Sequence, residues 1–269
     1  MKTINFTYNS VSEFGDALRA IADEPSVTGF NASTSNRRSD TPHSLDEAIE
    51  TARNGGAWAA GARQLQSVNV EVDSDQDYKR RAIVQDVTGF MPNVPALLAN
   101  HPVAMYNQRP APKVKRYIKI GVAVAMADAV PAKILYNRGR AILAVVDDMV
   151  MQGYGVEIWS VTASRGGKVR ASCNVKLKPA DGQWSVDTAA FMLACSSIVR
   201  RLYMKLVESS EEVMDNIGGS YGRPETKDTG AHDIWFPALH TSEGYDTPER
   251  ALATVLKQVS GYLNTENAA

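Results

Sequence analysis

The sequence predicts an α/β protein: a doubly wound, mostly parallel sheet with one antiparallel hairpin strand, preceded by a helical N-terminal region. Residues 114–126 alternate and finish in apolar and small side chains, which is typical of a central strand covered on both faces. A helical segment and a second strand follow, in the order of a right-handed crossover. The Gly166-Gly167 turn then indicates a hairpin into residues 169–177.

The crossover helix is predicted from apolar residues at helical spacing, namely Ile142, Val145, Val146 and Met149. It is expected to end at Gly153, because glycine readily adopts the left-handed conformation that closes a helix. A second long helix is predicted after the hairpin, capped by Ser185 or Asp187 and apolar almost all round as far as Leu206.

The chain is expected to close with a strand at residues 234–239 and a helix that begins with Pro248 after Thr247. This segment completes an α/β domain over residues 109–269. The region before it, residues 1–108, is expected to be mainly helical.

Two N-terminal helices have clear sequence signals. The first carries one apolar stripe after Ser10, formed by Val11, Phe14, Leu18 and Ile21. The second begins at a capping-box pair, Ser44 and Glu47, and is stopped by Gly55-Gly56. Another helix with small residues around Trp58 is expected directly afterwards.

Length and composition exclude several classes of protein. A chain of 269 residues with 44% hydrophobic and 22% charged residues can bury a large core. Its formal charge of −1 excludes a uniformly basic nucleic-acid binder. Cys173 and Cys195 fall in a predicted strand and helix, so both are expected to be buried thiols in a reducing compartment. Without a signal-peptide core or a stretch of ~20 apolar residues, a location in the cytoplasm of the cell that makes the protein is expected.

Basic residues concentrate in two short segments before and at the start of the central strand. Backbone binding to single-stranded nucleic acid needs several cations along a groove and an aromatic face for base stacking. The candidate residues are Lys79, Arg80, Arg81, Arg109, Lys113, Lys115, Arg116, Tyr117 and Lys119. The alternative is that these charges only keep an edge strand soluble.

Catalytic and metal-binding patterns are weak. The loop after the first central strand offers a single carboxylate, Asp128, where a hard cation needs several oxygen ligands. His232 beside Asp233, with His240 nearby, could form a base with an orienting acid, but neighbours in sequence do not define that geometry. No catalytic residue and no cofactor is therefore predicted.

The order of the central elements resembles that of von Willebrand factor A-like domains, over residues 113–264. Such domains hold a divalent cation with an Asp-x-Ser-x-Ser loop after the first strand. Only Asp128 matches that loop, so the resemblance implies the fold with a degenerate metal site.

Two segments, residues 136–143 and 153–158, resemble a domain family of unknown function that is common in tailed-phage genomes. A fainter resemblance is to the middle-transcription proteins of schitoviruses, which bring a phage RNA polymerase to single-stranded DNA. Asn137-Arg138-Gly139-Arg140 also resembles distantly an element of single-subunit RNA polymerases that contacts the template.

These observations predict a non-catalytic phage accessory factor that binds single-stranded nucleic acid and supports viral transcription or replication. The expected partners are single-stranded nucleic acid and a phage RNA polymerase. The alternative is a phage structural or assembly module that acts through protein contacts. A subunit of a single-subunit-type polymerase is the third hypothesis.

Overall fold

The computed structural model describes most of the chain. The described residues are 2–27, 33–34, 41–66, 81–99, 101–110, 116–127, 130–183, 185–217, 223–228 and 230–267. The described strands are β1 (Lys2–Tyr8), β2 (Arg81–Asp86), β3 (Met91–Pro92), β4 (Met105–Pro110), β5 (Tyr117–Ala123), β6 (Gly155–Gly166), β7 (Val169–Lys178), β8 (Arg223–Pro224) and β9 (Ile234–Phe236). The described helices are α1 (Val11–Ile21), α2 (Leu45–Arg53), α3 (Ala59–Gln66), α4 (Val94–Leu98), α5 (Ala132–Met151), α6 (Val186–Ala194), α7 (Met204–Glu208), α8 (Glu211–Ile217) and α9 (Pro248–Asn267), with a π-helical segment (Ile198–Tyr203) before α7.

The main sheet has the strand order β1-β7-β6-β5-β9, and β8 pairs with the end of β6. The pairs β1·β7, β5·β6 and β5·β9 are parallel, while β6 and β7 form the predicted antiparallel hairpin. The prediction of a mixed α/β fold with a mostly parallel sheet and one antiparallel pair is confirmed. The edge strand β1 was not predicted, because its few apolar residues are followed at once by a helical pattern.

Side chains of the main sheet alternate between two faces of different character. The apolar face carries Ile118, Ile120, Val122, Val156, Ile158, Ala171, Cys173 and Val175, all buried. The polar face carries Lys119, Glu157, Trp159, Arg165, Arg170, Ser172, Asn174 and Lys176. The pairing of β6 with β7 shifts by one residue of β7 between Ile158 and Trp159, and from Trp159 to Gly166 every second residue of β6 lies on the same face.

All described helices except α4 contribute buried residues to one core on the apolar face. The structure therefore differs from the doubly wound arrangement, in which helices cover both faces. The polar face is instead lined by the chain that leads from β8 to β9. Gly121, Ala123 and Ser172 leave too little apolar area on this face to hold a layer of helices.

The N-terminal helices pack into the same core as the central strands. Ser10 Oγ accepts a hydrogen bond from Glu13 N at the start of α1, and the predicted capping box of Ser44 and Glu47 is present in α2. Both chain segments flanking the predicted boundary at 108/109 supply core residues, and β4 spans that boundary. The two buried thiols were predicted correctly; both cysteines are free.

The predicted long helix after the hairpin is interrupted. α6, capped by Ser185, ends where Cys195 takes an extended conformation with ψ 123°, and a π-helical segment follows before α7. Ser197 Oγ lies 3.0 Å from His43 Nδ1, and Arg201 donates to the His43 carbonyl at 3.0 Å. These contacts with the segment around His43 stabilise the interruption of the helix. The apolar periodicity of the sequence does not predict that interruption.

A second, three-stranded sheet has the order β2-β4-β3. Apolar side chains are exposed in the segment that runs from the end of β2 through β3 to α4. They are Val87, Phe90, Met91, Val94, Leu97 and Leu98. The short helix α4 has no buried residue, although Asn93 caps it through a hydrogen bond from Ala96 N.

Candidate nucleic-acid interface

The antiparallel pairing of β2 and β4 brings one residue of each predicted basic segment to the same end of the second sheet. Arg81 lies opposite Pro110, and Ala82 lies opposite Arg109. Two basic residues that are almost thirty positions apart in sequence therefore lie in adjacent pairs on neighbouring strands.

The structure describes only some of the candidate binding residues. The backbones of Arg81 and Arg109 lie in β2 and β4. Arg116 is half-buried, and its carbonyl accepts a hydrogen bond from Gly155 N at 2.8 Å. Four predicted binding residues lie outside the described residues: Lys79, Arg80, Lys113 and Lys115.

Tyr117 is the exposed aromatic residue at the start of β5, with 61% of its surface accessible. Its ring lies over Gly155 on the polar face, where an added Cβ would come within 2.6 Å of the ring. Only glycine leaves room for the phenol ring at this position, and most of the ring's surface stays accessible.

Lys119 and Lys176 both lie over the Trp159 ring, with their Nζ atoms 5.2 and 5.0 Å from its centroid. Such cation–aromatic contacts orient the ammonium groups without neutralising them. The Glu157 carboxylate adds negative charge beside these lysines. It accepts a hydrogen bond from the Trp159 indole at 2.7 Å and lies 3.5 Å from Lys176 Nζ. Lys119 also donates to the Gly230 carbonyl at 2.9 Å.

A compact Asp228–His232–Trp235 unit lies against the middle of the polar face. His232 Nδ1 is 2.7 Å from Asp228 Oδ1, and its ring stacks on Trp235 with a centroid distance of 5.6 Å. Asp228 also accepts hydrogen bonds from the Gly230 and His232 amides. The sequence suggested Asp233 as the partner of this histidine, but Asp233 instead binds the backbone of Lys119.

Burial lowers the pKa of His232 below its usual value, and this effect outweighs Asp228, which raises it. The His232 side chain is only 1% exposed. A neutral, enclosed imidazole of this kind supports the loop over Gly121, where a Cβ would lie 2.4 Å from the ring. We therefore assign the unit a structural role.

The segment that resembles a polymerase element has internal partners. Asn137 donates to the Tyr245 carbonyl at 2.9 Å, and Arg138 donates to the Phe236 carbonyl at 3.1 Å. Burial lowers the pKa of Arg138 to about 10. Arg140 binds carbonyls of α3. These hydrogen bonds hold α5 against α3 and the chain around Phe236 and Tyr245.

Within the described ranges, no group of three His, Cys, Asp or Glu side chains is placed to hold a metal ion. The metal candidate of the sequence, Asp128, lies outside those ranges. Among the helices that the structure describes, none is both long and apolar enough to cross a membrane.

The comparison with known families gives one match. A family model described as "Domain of unknown function (DUF7192)" matches residues 2–266, so the chain belongs to this family. No curated protein and no solved structure matches the chain.

Proposed function

We propose that this member of the DUF7192 family is a non-catalytic, phage-encoded accessory factor that binds single-stranded nucleic acid. It would support viral transcription or replication in the host cytoplasm by recruiting a phage RNA polymerase to single-stranded DNA. The proposal rests on the residues that resemble phage proteins and on the basic and aromatic groups at the start of the polar face.

The observation that carries the proposal is the β2·β4 register. It brings Arg81 and Arg109, one residue of each basic segment, to neighbouring strands at one end of the ribbon. In sequence, the second segment leads into β5, whose first residue, Tyr117, is exposed, and Lys119 follows two residues later. Cations and an exposed aromatic face are what a single strand requires.

The finer fold assignment is also part of the proposal. The element order β5-α5-β6-β7-α6-β9-α9 supports a von Willebrand factor A-like centre. The helices on the apolar face are compatible with this order, while the second face lacks a described helical layer.

The first test is a fluorescence-anisotropy titration of the full chain with single-stranded and double-stranded oligonucleotides at two salt concentrations. Replacing Lys113, Lys115 and Arg116 by glutamine should weaken binding to all sequences. The slope of log K against log salt should fall by about 0.7 for each lost phosphate contact.

The matched control replaces three exposed cations elsewhere, Arg63, Lys133 and Lys257, by glutamine. This change alters net charge equally but should leave the salt slope unchanged. An equal effect of both triple variants, or no binding of the wild-type chain at low salt, would contradict the proposal.

The second candidate function is an assembly module that acts through protein contacts. It is favoured by the exposed apolar side chains between Val87 and Leu98, since Leu98 is 83% exposed and Leu97 is 56% exposed. Contiguous exposed apolar residues often mark an interaction site. Under this candidate, the wild-type chain should not bind single strands, and replacing Leu97 and Leu98 by serine should abolish its binding to a structural or assembly protein of the phage.

A further inference from the structure

The strand β1 forms one edge of the main sheet, and among the described residues no strand lies on its outer side. β1 pairs with β7 over its whole length, from Lys2 to Tyr8, without a register shift. The strand at the opposite edge, β9, is only three residues long. β1 is therefore the longer of the two edge strands of this sheet.

Every second residue of β1 directs its backbone groups away from β7. Lys2 N donates to the Lys168 carbonyl at 2.9 Å, so the backbone of Lys2 faces the hairpin that contains β7. Because successive residues of a strand direct their N–H and C=O groups to opposite sides, Thr3, Asn5 and Thr7 face outwards. The described part of the chain supplies no backbone partner on that outer side. The side chains of these three residues are exposed as well.

This edge lacks the features by which soluble proteins usually prevent a further strand from pairing. Those features are charged residues or proline within the strand, bulges, and a very short edge. Between Thr3 and Tyr8 the strand has no charged residue and no proline, and its register is regular. An edge of this kind is a template for another strand.

The apolar residues of β1 define which strand would fit beside it. Ile4, Phe6 and Tyr8 are half-buried and pack at the rim of the main core, where the Tyr8 ring lies 5.1 Å from the Phe14 ring. An added strand continues this core only if its own apolar residues alternate in the same phase. Its remaining residues must be compatible with the polar face.

A second copy of β1 meets both requirements when it pairs antiparallel about Asn5. In this register Ile4 lies opposite the second copy's Phe6, and Thr3 lies opposite the second copy's Thr7. Aromatic–β-branched and Thr–Thr pairs are among the cross-strand pairs that stabilise a sheet. Each outward-facing residue then meets an outward-facing residue, so every such pair can exchange two backbone hydrogen bonds.

We infer that the chain forms a two-fold symmetric homodimer in which the β1 strands of two copies pair antiparallel and join the two main sheets into one. The same surface of each copy forms the interface, as a closed two-fold contact requires. This inference is independent of nucleic-acid binding, because β1 contains none of the candidate binding residues.

The test measures the mass of the full chain by sedimentation equilibrium over a range of concentrations. The wild type should sediment as a dimer. In the Thr3→Lys/Thr7→Lys variant each lysine faces a lysine of the second copy, so this variant should be monomeric. In the Thr3→Lys/Thr7→Glu variant each lysine faces a glutamate, and the dimer should return.

Two further variants control for charge and for side-chain effects. Ser242→Lys/Ser260→Lys adds the same charge at exposed positions away from β1 and should remain dimeric. Thr7→Pro removes an outward-facing N–H and leaves the ladder with β7 intact, because proline is tolerated on the open side of an edge strand. This variant should be monomeric, with a far-UV circular dichroism spectrum like that of the wild type.

A wild type that stays monomeric at every concentration would overturn the inference, including the case in which β1 accepts a strand of a different protein. A Thr3→Lys/Thr7→Lys variant that remains dimeric would also overturn it, since the copies would then meet through another surface. Failure of Thr3→Lys/Thr7→Glu to restore the dimer would overturn the antiparallel register about Asn5.

Discussion

The two faces of the main sheet belong to the same strands and differ in almost every property. Alternate residues of β5 and β6 pack under the helices on one face, while those between them carry charged and aromatic groups on the other. Because strand side chains alternate with a period of two, a single sheet can separate stability from binding without a further domain. Substitutions on the apolar face should therefore lower the free energy of unfolding, whereas substitutions on the polar face should weaken binding.

The largest expected difference is between Ile120 and Tyr117, which belong to one strand. Ile120 is fully buried on the apolar face, so Ile120→Ala should reduce the free energy of unfolding by about 2–5 kcal/mol. Tyr117→Ala should change it by less than about 0.5 kcal/mol. Urea unfolding of both variants measures the contrast.

In a binding assay, Tyr117→Ala should have the larger effect of these two substitutions. Loss of one stacking surface is worth about 1–3 kcal/mol, so Tyr117→Ala should weaken single-strand affinity roughly 5- to 150-fold. Ile120→Ala, assayed at a temperature where it remains folded, should bind normally. Comparable destabilisation by the two substitutions would show that the faces are not specialised in this way.

An intermediate effect is expected where the polar face does contribute to stability. Glu225 has a side chain only 4% exposed, and Arg170→Gln removes its cationic partner. We expect a loss of about 1.5–3 kcal/mol at pH 7, because a hydrogen bond to a charged group is lost. Arg165 lies directly opposite Arg170 on β6 and forms no ion pair with another described residue. Arg165→Gln is therefore the control and should be neutral or slightly stabilising.

The pH dependence of this effect has a defined sign. Burial raises the pKa of Glu225, but hydrogen bonds from Lys227 and Arg170 outweigh burial and hold the pKa below its usual value. A carboxyl with a lowered folded pKa stabilises the protein above the pKa of the unfolded chain and loses this contribution as pH falls through the folded value. The difference between wild type and Arg170→Gln should therefore shrink below about pH 4. A difference that grows on acidification would contradict the assignment.

The smallest expected effect is that of His232. Its pKa is lowered, mainly by burial, so the neutral ring stabilises the fold above the unfolded pKa of about 6.5, and this contribution is lost as pH falls through the folded value. His232→Gln should flatten the decline of melting temperature between about pH 7 and pH 5. The exposed His240, replaced by glutamine, should leave that decline intact.

Much of the local structure could be predicted from the sequence. Ser44 with Glu47 predicted the start of α2, and the glycine at 153, with φ of +92°, closes α5 as expected. The break after α6 could not be predicted, because it depends on contacts of Ser197 and Arg201 with the segment around His43. Local patterns report interactions across three or four residues, whereas these contacts join positions more than 150 residues apart.

The candidate interface, too, could be predicted from the sequence only in part. The basic residues and Tyr117 are evident from the sequence, but the placement of Arg81 and Arg109 on neighbouring strands follows only from the β2·β4 register. The pairing of Arg165 with Arg223 of β8 likewise gives no signal in the sequence, since the two residues are far apart along the chain. Similarly, the partner of His232 is Asp228 and not its neighbour Asp233, because the turn between them folds the carboxylate back onto the ring.

The sequence by itself determined the α/β class, the helix caps, the hairpin and the alternation that gives each strand two faces, because periodicity and capping act through neighbouring residues. The tertiary structure decided that β1 joins β7, that the described helices of the core share one face, and which charges meet on the other. Those outcomes depend on how the whole chain buries its apolar surface, and that balance is not contained in any one segment.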